Sequence, residues 1–181
     1  MLTNIANYNN NTDWLYLIVA VIVVDLIVIF MARYPGPDPY FKVEALNEWY
    51  DRFGIVAVLG DLLSLLIGLA AARYIYTLGR FSGPLIFVIA ILIFQAFHDI
   101  FFYTAVILQL PKGENAMIDV FKGYAKENGA KILGADALML LASAFIGSAL
   151  KALPLHYTVS TGLIATYAMT YTLYTKQPKS S

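Results

Sequence analysis

The chain has 181 residues, of which 60% are hydrophobic and only 13% are charged, about half the charged fraction of a typical soluble domain. So few charges cannot cover a water-soluble globule of this size, whereas the lipid-facing surface of a membrane protein can be apolar. The formal net charge of zero argues against a nucleic-acid binder, and the absence of cysteine excludes disulfides, thiolate catalysis and Cys-ligated metals.

Five apolar stretches predict an all-α integral membrane bundle, because each provides about the 20 residues that a spanning helix needs. In chain order they are 14–33, 54–76, 85–110, 130–150 and 155–174. The last stretch is the least apolar, since Thr and Tyr residues dilute it, and we expect it to pack mainly against neighbouring helices.

Two further stretches, 41–53 and 115–127, predict amphipathic helices that lie on the membrane surface. In each of them apolar side chains recur at helical spacing while charged side chains lie between them. The aromatic residues of these helices are the expected interfacial and docking residues: Trp49, Tyr50, Phe121 and Tyr124.

A shift of 75 residues aligns Gly54 with Gly129 and Asp61 with Asp136. The aligned segments both follow an amphipathic stretch, which predicts two parallel units of one surface helix and two spans. The chain then divides into a lone first span with a Pro-rich turn, two repeat units and a polar tail: 1–40, 41–110, 115–175 and 176–181.

The basic residues predict the orientation of the bundle. With five spans, nine of the 12 Lys and Arg residues fall on one side and three on the other. Because cytoplasmic loops carry the excess of basic residues, the N-terminus is predicted to be non-cytoplasmic and the C-terminus cytoplasmic. Both surface helices then lie on the cytoplasmic side.

Four predicted spans each carry one aspartate, and we call Asp25, Asp61, Asp99 and Asp136 the aspartate layer. Each such side chain costs roughly 2.5–3.5 kcal/mol to insert, so it needs a structural or functional reason. The helical rise places all four at about 8 to 20 Å from the basic side, close to His98.

Two interpretations of the aspartate layer remain open. In the first, it is a hydrogen-bond layer that fixes helix register, with Ser64, Ser143 and Thr104 as partners. In the second, the aspartates and His98 form a proton or cation site. We find no phosphate-binding loop, zinc-protease helix or nucleophile elbow. We therefore predict that the chain is not an enzyme and needs no cofactor.

Three segments stand out between residues 48 and 141: EWYDRFGIVAVLGDLLSLLIG, FQAFHDIFFY and AMIDVFKGYAKENGAKILGADALML, with a Pro-Lys-Gly turn between the second and third. Their most distinctive elements are the paired FG…GD and NG…AD units and the His98-Asp99 pair. In these segments the chain resembles polytopic virion membrane proteins of large nucleocytoplasmic DNA viruses, notably the algal-virus and giant-virus groups.

The resemblance implies a structural protein of the viral inner membrane, beneath an icosahedral capsid, as a minor capsid component that links bilayer to shell. It also implies that the protein resides in a host endomembrane during assembly and that its partners are other capsid or membrane proteins. A homo-oligomer is compatible with the resemblance. No catalytic residues carry over. The alternative function is a small proton or cation transporter or channel that uses the aspartate layer.

Overall fold

The computed structural model describes residues 2, 5–37, 40 and 42–176. These residues form seven helices and no strand. The helices are α1 (Asp13–Arg33), α2 (Glu44–Phe53), α3 (Ile55–Leu78), α4 (Pro84–Phe102), α5 (Ala116–Asn128), α6 (Lys131–Lys151) and α7 (Leu155–Leu173). A π-helical turn, Tyr103–Ile107, continues α4. The predicted polar tail, apart from Lys176, lies outside the described residues, as does the start of the first surface helix at Phe41.

Four helices are long and apolar enough to cross a membrane: α1, α3, α4 with its π-helical turn, and α6, with mean hydropathies from 1.8 to 3.0. Among the described residues the count is therefore four, not the five predicted. The predicted fifth stretch does form a helix, α7, of 19 residues. It falls below the hydropathy of a span because Ser, Thr, Tyr and His occupy many of its positions.

Helix α1 lies at the centre of the bundle, against α3, α6 and α7. Small residues allow this close packing, as is common between membrane helices. A Cβ added to Gly147 of α6 would lie 3.2 Å from a methyl group of Leu17, and one added to Gly162 of α7 would lie 3.0 Å from a methyl group of Val19. Further along, Met169 of α7 packs in one cluster with Ile29, so α7 runs parallel to α1.

Helices α3 and α4 form an antiparallel hairpin, and α4 also packs against α6. Leu65 and Leu69 of α3, Phe87 and Ile91 of α4, and Leu140 of α6 meet in one apolar core. The outward faces of α3 and α4 carry large exposed apolar side chains, which is the surface that a surrounding bilayer would cover.

The two amphipathic helices α2 and α5 pack against each other, and together we call them the surface layer. The rings of Trp49 and Phe121 meet with centroids 4.9 Å apart. The Glu127 carboxylate accepts the backbone N–H groups of Glu44, at 3.1 Å, and Ala45, at 3.2 Å. It therefore caps the start of α2 from the neighbouring helix.

The joint between surface helix and span has the same geometry in both predicted units. Gly54 has φ 52° and ψ −126°, and Gly129 has φ 54° and ψ −135°, a region that favours glycine. The spans also bury the same face, at pairs of positions 75 residues apart: 65 and 140, 68 and 143, 69 and 144, 72 and 147, 73 and 148. The joints and the buried faces thus correspond, while the division into two repeat units stays a prediction.

The packing of α6 on α1 gives a test of the fold. We expect Gly147→Leu to lower the free energy of unfolding by about 1–3 kcal/mol, because the added side chain meets Leu17 and the α1 backbone. The control is Gly134→Leu in the same helix, where nothing lies within 4 Å of an added Cβ. Thermal unfolding in detergent measures both variants. Equal melting temperatures for the two would contradict the packing of α1 on α6.

Candidate functional site

The structure brings the aspartate layer together across four helices. Asp25 of α1 interacts electrostatically with Asp61 of α3. Asp136 of α6 interacts with Asp61 and with Asp99 of α4. The carboxyl groups therefore form a row, from Asp25 through Asp61 and Asp136 to Asp99, beneath the surface layer.

Asp61 is held by donors from the surface layer. Its carboxylate accepts the indole N–H of Trp49, 3.2 Å from each oxygen, and the hydroxyl of Tyr50, at 3.2 Å. Both donors project from α2 into the bundle and are buried, with 5% and 2% of their surface exposed. The prediction that Trp49 and Tyr50 form a docking surface is therefore wrong, because both side chains donate hydrogen bonds to Asp61 and pack in the apolar core.

The other two predicted docking residues are half-buried. Phe121 lies between Trp49 and Phe102, and its ring centroid is 6.3 Å from that of Phe102. Tyr124 lies near the aspartate layer. Burial, together with the charges of Asp136, Asp61 and Glu127, raises the pKa of Tyr124 to about 12, so its hydroxyl remains neutral at physiological pH.

Asp99 is partnered within its own helix. One of its oxygens accepts the amide N–H of Gln95 at 2.6 Å and lies 3.2 Å from Nδ1 of His98, while the other has no partner. The His98 ring stacks between Phe94 and Phe102, with centroids 6.1 and 6.0 Å away. The predicted His98-Asp99 pair thus forms a contact at the end of the aspartate row.

Asp25 differs from the other aspartates, since it is fully buried and neither of its oxygens has a hydrogen-bond partner. No other Asp or Glu in the described part of the chain has both oxygens buried and unpartnered. A buried carboxyl group without donors is costly when ionised. Asp25 is therefore the aspartate of the layer for which the surrounding protein provides no hydrogen-bond donor.

The hydroxyl partners predicted for the layer are wrong. Ser64 donates to the backbone carbonyl of Asp61 at 2.9 Å, Ser143 to that of Met139 at 2.8 Å, and Thr104 to that of Ile100 at 2.7 Å. All three hydroxyls bond to carbonyls of their own helix, the usual arrangement for Ser and Thr in helices. The aspartates take their donors from Trp, Tyr, Gln and His side chains instead.

The geometry of a metal site is not present in the part of the chain described. No group of three or more His, Asp or Glu side chains there could hold a metal ion together. The row arrangement spreads the carboxyl groups across the bundle instead of converging them on one point. The chemistry that this arrangement can offer is hydrogen bonding and proton binding.

A second polar cluster, not predicted from the sequence, lies at the opposite end of the bundle. Asp13 of α1 is 2.6 Å from the Lys151 ammonium of α6 and 3.5 Å from the Arg73 guanidinium of α3, and both Asp13 and Arg73 are fully buried. Arg73 also donates to the carbonyls of Asn7 and Asn10. Its position inside a span, five residues before the end of α3, was the available signal.

Comparison with known proteins yields no match. No family model fits the chain, and neither a curated protein nor a solved structure matches it.

The cap that Glu127 places on α2 gives a test of the surface layer. We expect Glu127→Ala to weaken the start of α2 by about 1 kcal/mol, the usual cost of losing an N-cap acceptor, because Glu44 and Ala45 lose their N–H partner. Hydrogen exchange of the amides in 44–53 should speed up about fivefold, which is 1 kcal/mol expressed as a rate ratio.

The matched control is Glu114→Ala, which removes an exposed carboxylate from the loop before α5. That variant should leave exchange in α2 unchanged. If both variants have the same exchange rates in 44–53, Glu127 does not hold the two surface helices together.

Proposed function

We propose that the chain is a structural multi-pass membrane protein of a viral particle. It resides in the inner membrane beneath the capsid and links the bilayer to the shell as a minor capsid component. The protein passes through host endomembrane during assembly, acts as no enzyme and binds no nucleic acid. Its partners are the bilayer and other capsid or membrane proteins. The resemblance of residues 48–141 to such proteins supports the viral part of the proposal.

The observation that carries the structural part is the fixed attachment of the surface layer to the spans. Trp49 and Tyr50 of α2 bond to Asp61, and the exposed carboxylate of Asp51 pairs with the buried Arg33 of α1 at 2.8 Å. Glu127 of α5 caps α2. Helix α2 is thus attached to the spans at two places and to α5 at a third, so the surface layer can transmit force to the bundle, as a link between membrane and shell must.

The outer face of the surface layer has the chemistry of a protein-binding surface. Its exposed charged side chains are of both signs: Glu44, Glu48, Asp51, Arg52, Lys126 and Glu127, with Lys42 just before α2. A nucleic-acid site would instead present a predominantly basic patch. Mixed charges give specificity through complementary pairing with a partner protein.

The proposed topology has five spans, with α7 as the fifth. Helix α7 runs parallel to α1, with Gly162 beside Val19 and with Met169 and Leu173 in the same apolar cluster as Ile29, so a bilayer that surrounds α1 also surrounds α7. The low hydropathy of α7 and its exposed Tyr167 and Tyr171 favour a protein neighbour on this face, either another membrane protein or a second copy. The basic-residue asymmetry supports a non-cytoplasmic N-terminus and a cytoplasmic C-terminus.

Imaging of purified particles tests the proposal. The protein should occupy fixed positions in the membrane beneath the shell, in many copies per particle. The double variant Glu48→Lys with Arg52→Glu exchanges two exposed charges and keeps their ion pair within α2, 3.5 Å in the native chain. Because like charges then face the partner, incorporation into particles should fall at least about tenfold.

The control is Arg80→Glu, which alters an exposed charge at the opposite end of the bundle and strengthens the asymmetry of basic residues. It should leave incorporation unchanged. Absence of the native protein from purified particles, or normal incorporation of the double variant, would contradict the proposal.

A second candidate function, proton or cation transport, is favoured by the buried and unpartnered Asp25. It requires flux when the purified protein is placed in liposomes, and loss of that flux in Asp61→Asn and Asp136→Asn variants that remain folded and monodisperse. If the native protein supports no flux over a range of pH and ions, the transport candidate fails while the structural proposal stands.

A further inference from the structure

We propose that Asp25 and Asp61 together bind one proton, which resides on the carboxyl group of Asp25 while Asp61 is ionised. The ligand of this site is the proton itself, and the site would exist in a structural protein as well as in a transporter. It rests on four observations: the burial of Asp25, the hydrogen-bond donors that Asp61 has and Asp25 lacks, the electrostatic interaction between the two carboxyl groups, and the absence of a nearby cation.

The two carboxyl groups have opposite surroundings. Asp61 receives hydrogen bonds from the Trp49 indole and the Tyr50 hydroxyl, and such donors stabilise the charged form of a carboxyl group. Asp25 receives none, although its side chain is fully buried. The protein therefore supplies an environment for one carboxylate and one carboxylic acid.

The donors to Asp61 keep their own protons. The indole N–H does not titrate in the physiological range. Burial, followed by the charge of Asp61, raises the pKa of Tyr50 well above its usual value of 10. Tyr50 thus remains a neutral hydrogen-bond donor on α2, and the negative charge in this part of the site remains on Asp61.

No cation faces Asp25 from the described parts of the helices packed around it. From α3 it interacts electrostatically with Asp61, and from α2 with Tyr50. Asp136 of α6 interacts with Asp61 and Asp99 instead. Two cations form ion pairs elsewhere, Arg33 with Asp51 and Lys151 with Asp13. The remaining titratable groups of α6 and α7 are exposed: Lys131, His156, Tyr157, Tyr167 and Tyr171.

Electrostatics then selects a single proton for the pair. If both groups were ionised, two negative charges would face each other in an apolar bundle without a counter-ion, which is why paired buried carboxyl groups share a proton. If both were protonated, the donors from Trp49 and Tyr50 would lose the charge that they are arranged to stabilise. One proton on Asp25 satisfies both groups.

Infrared spectroscopy of the full chain in liposomes at neutral pH tests the site. The native protein should show the C=O stretch of a protonated carboxyl group, identified by its shift to lower frequency in D2O. Asp25→Asn should abolish that band. Asp25→Leu, which places an apolar side chain at this fully buried position, should also abolish it and provides a second variant if the first does not fold.

The matched control is Asp136→Asn, which removes a carboxyl group of the same layer and should leave the band intact. Absence of the band from the native protein at neutral pH would overturn the proposal. So would a band that survives in both Asp25 variants, or one that disappears in Asp136→Asn. A band assigned to Asp25 in a protein that shows no flux would separate proton binding from transport.

Discussion

A polar side chain within a span gains most from a partner inside the protein, because the interior of a bilayer offers no water to bond it. This constraint determines where the helices lie. At one end Asp13 joins α1 to Arg73 of α3 and Lys151 of α6. At the other end Asp61 accepts a hydrogen bond from the indole of Trp49, which holds α2 against the bundle. The two polar regions fix both ends of an otherwise apolar assembly.

The helices were predictable from the sequence because the signal for them is local. A run of apolar residues indicates a span, and the glycine at each joint indicates where the surface helix ends, so the predicted boundaries agree with the structure to within a few residues. The number of spans was harder to predict. Hydropathy depends on composition alone, and α7 combines the length of a span with the Thr and Tyr content of a helix that packs against protein.

The partners of the polar residues were not predictable to the same extent, because they depend on packing between distant parts of the chain. The aspartates could be recognised as a layer from their depth. The donors to Asp61 could not, since Trp49 and Tyr50 have the pattern of interfacial residues on an amphipathic helix. Ser64 and Ser143 were expected to form hydrogen bonds with the aspartates, but their hydroxyl groups donate to backbone carbonyls of their own helices. Periodicity shows which face is apolar but not which neighbour covers it.

The central position of α1 has a consequence for biosynthesis. It precedes α6 and α7 in the chain by about 100 residues or more, yet much of its surface packs against these two helices. Until α6 and α7 are made, the surface of α1 that packs against them is uncovered, and the bundle closes through contacts between helices far apart in the sequence. Such long-range closure is slow, so translation products that stop before α6 are exposed to quality-control proteases. Burial of α1 thus depends on the synthesis of α6 and α7.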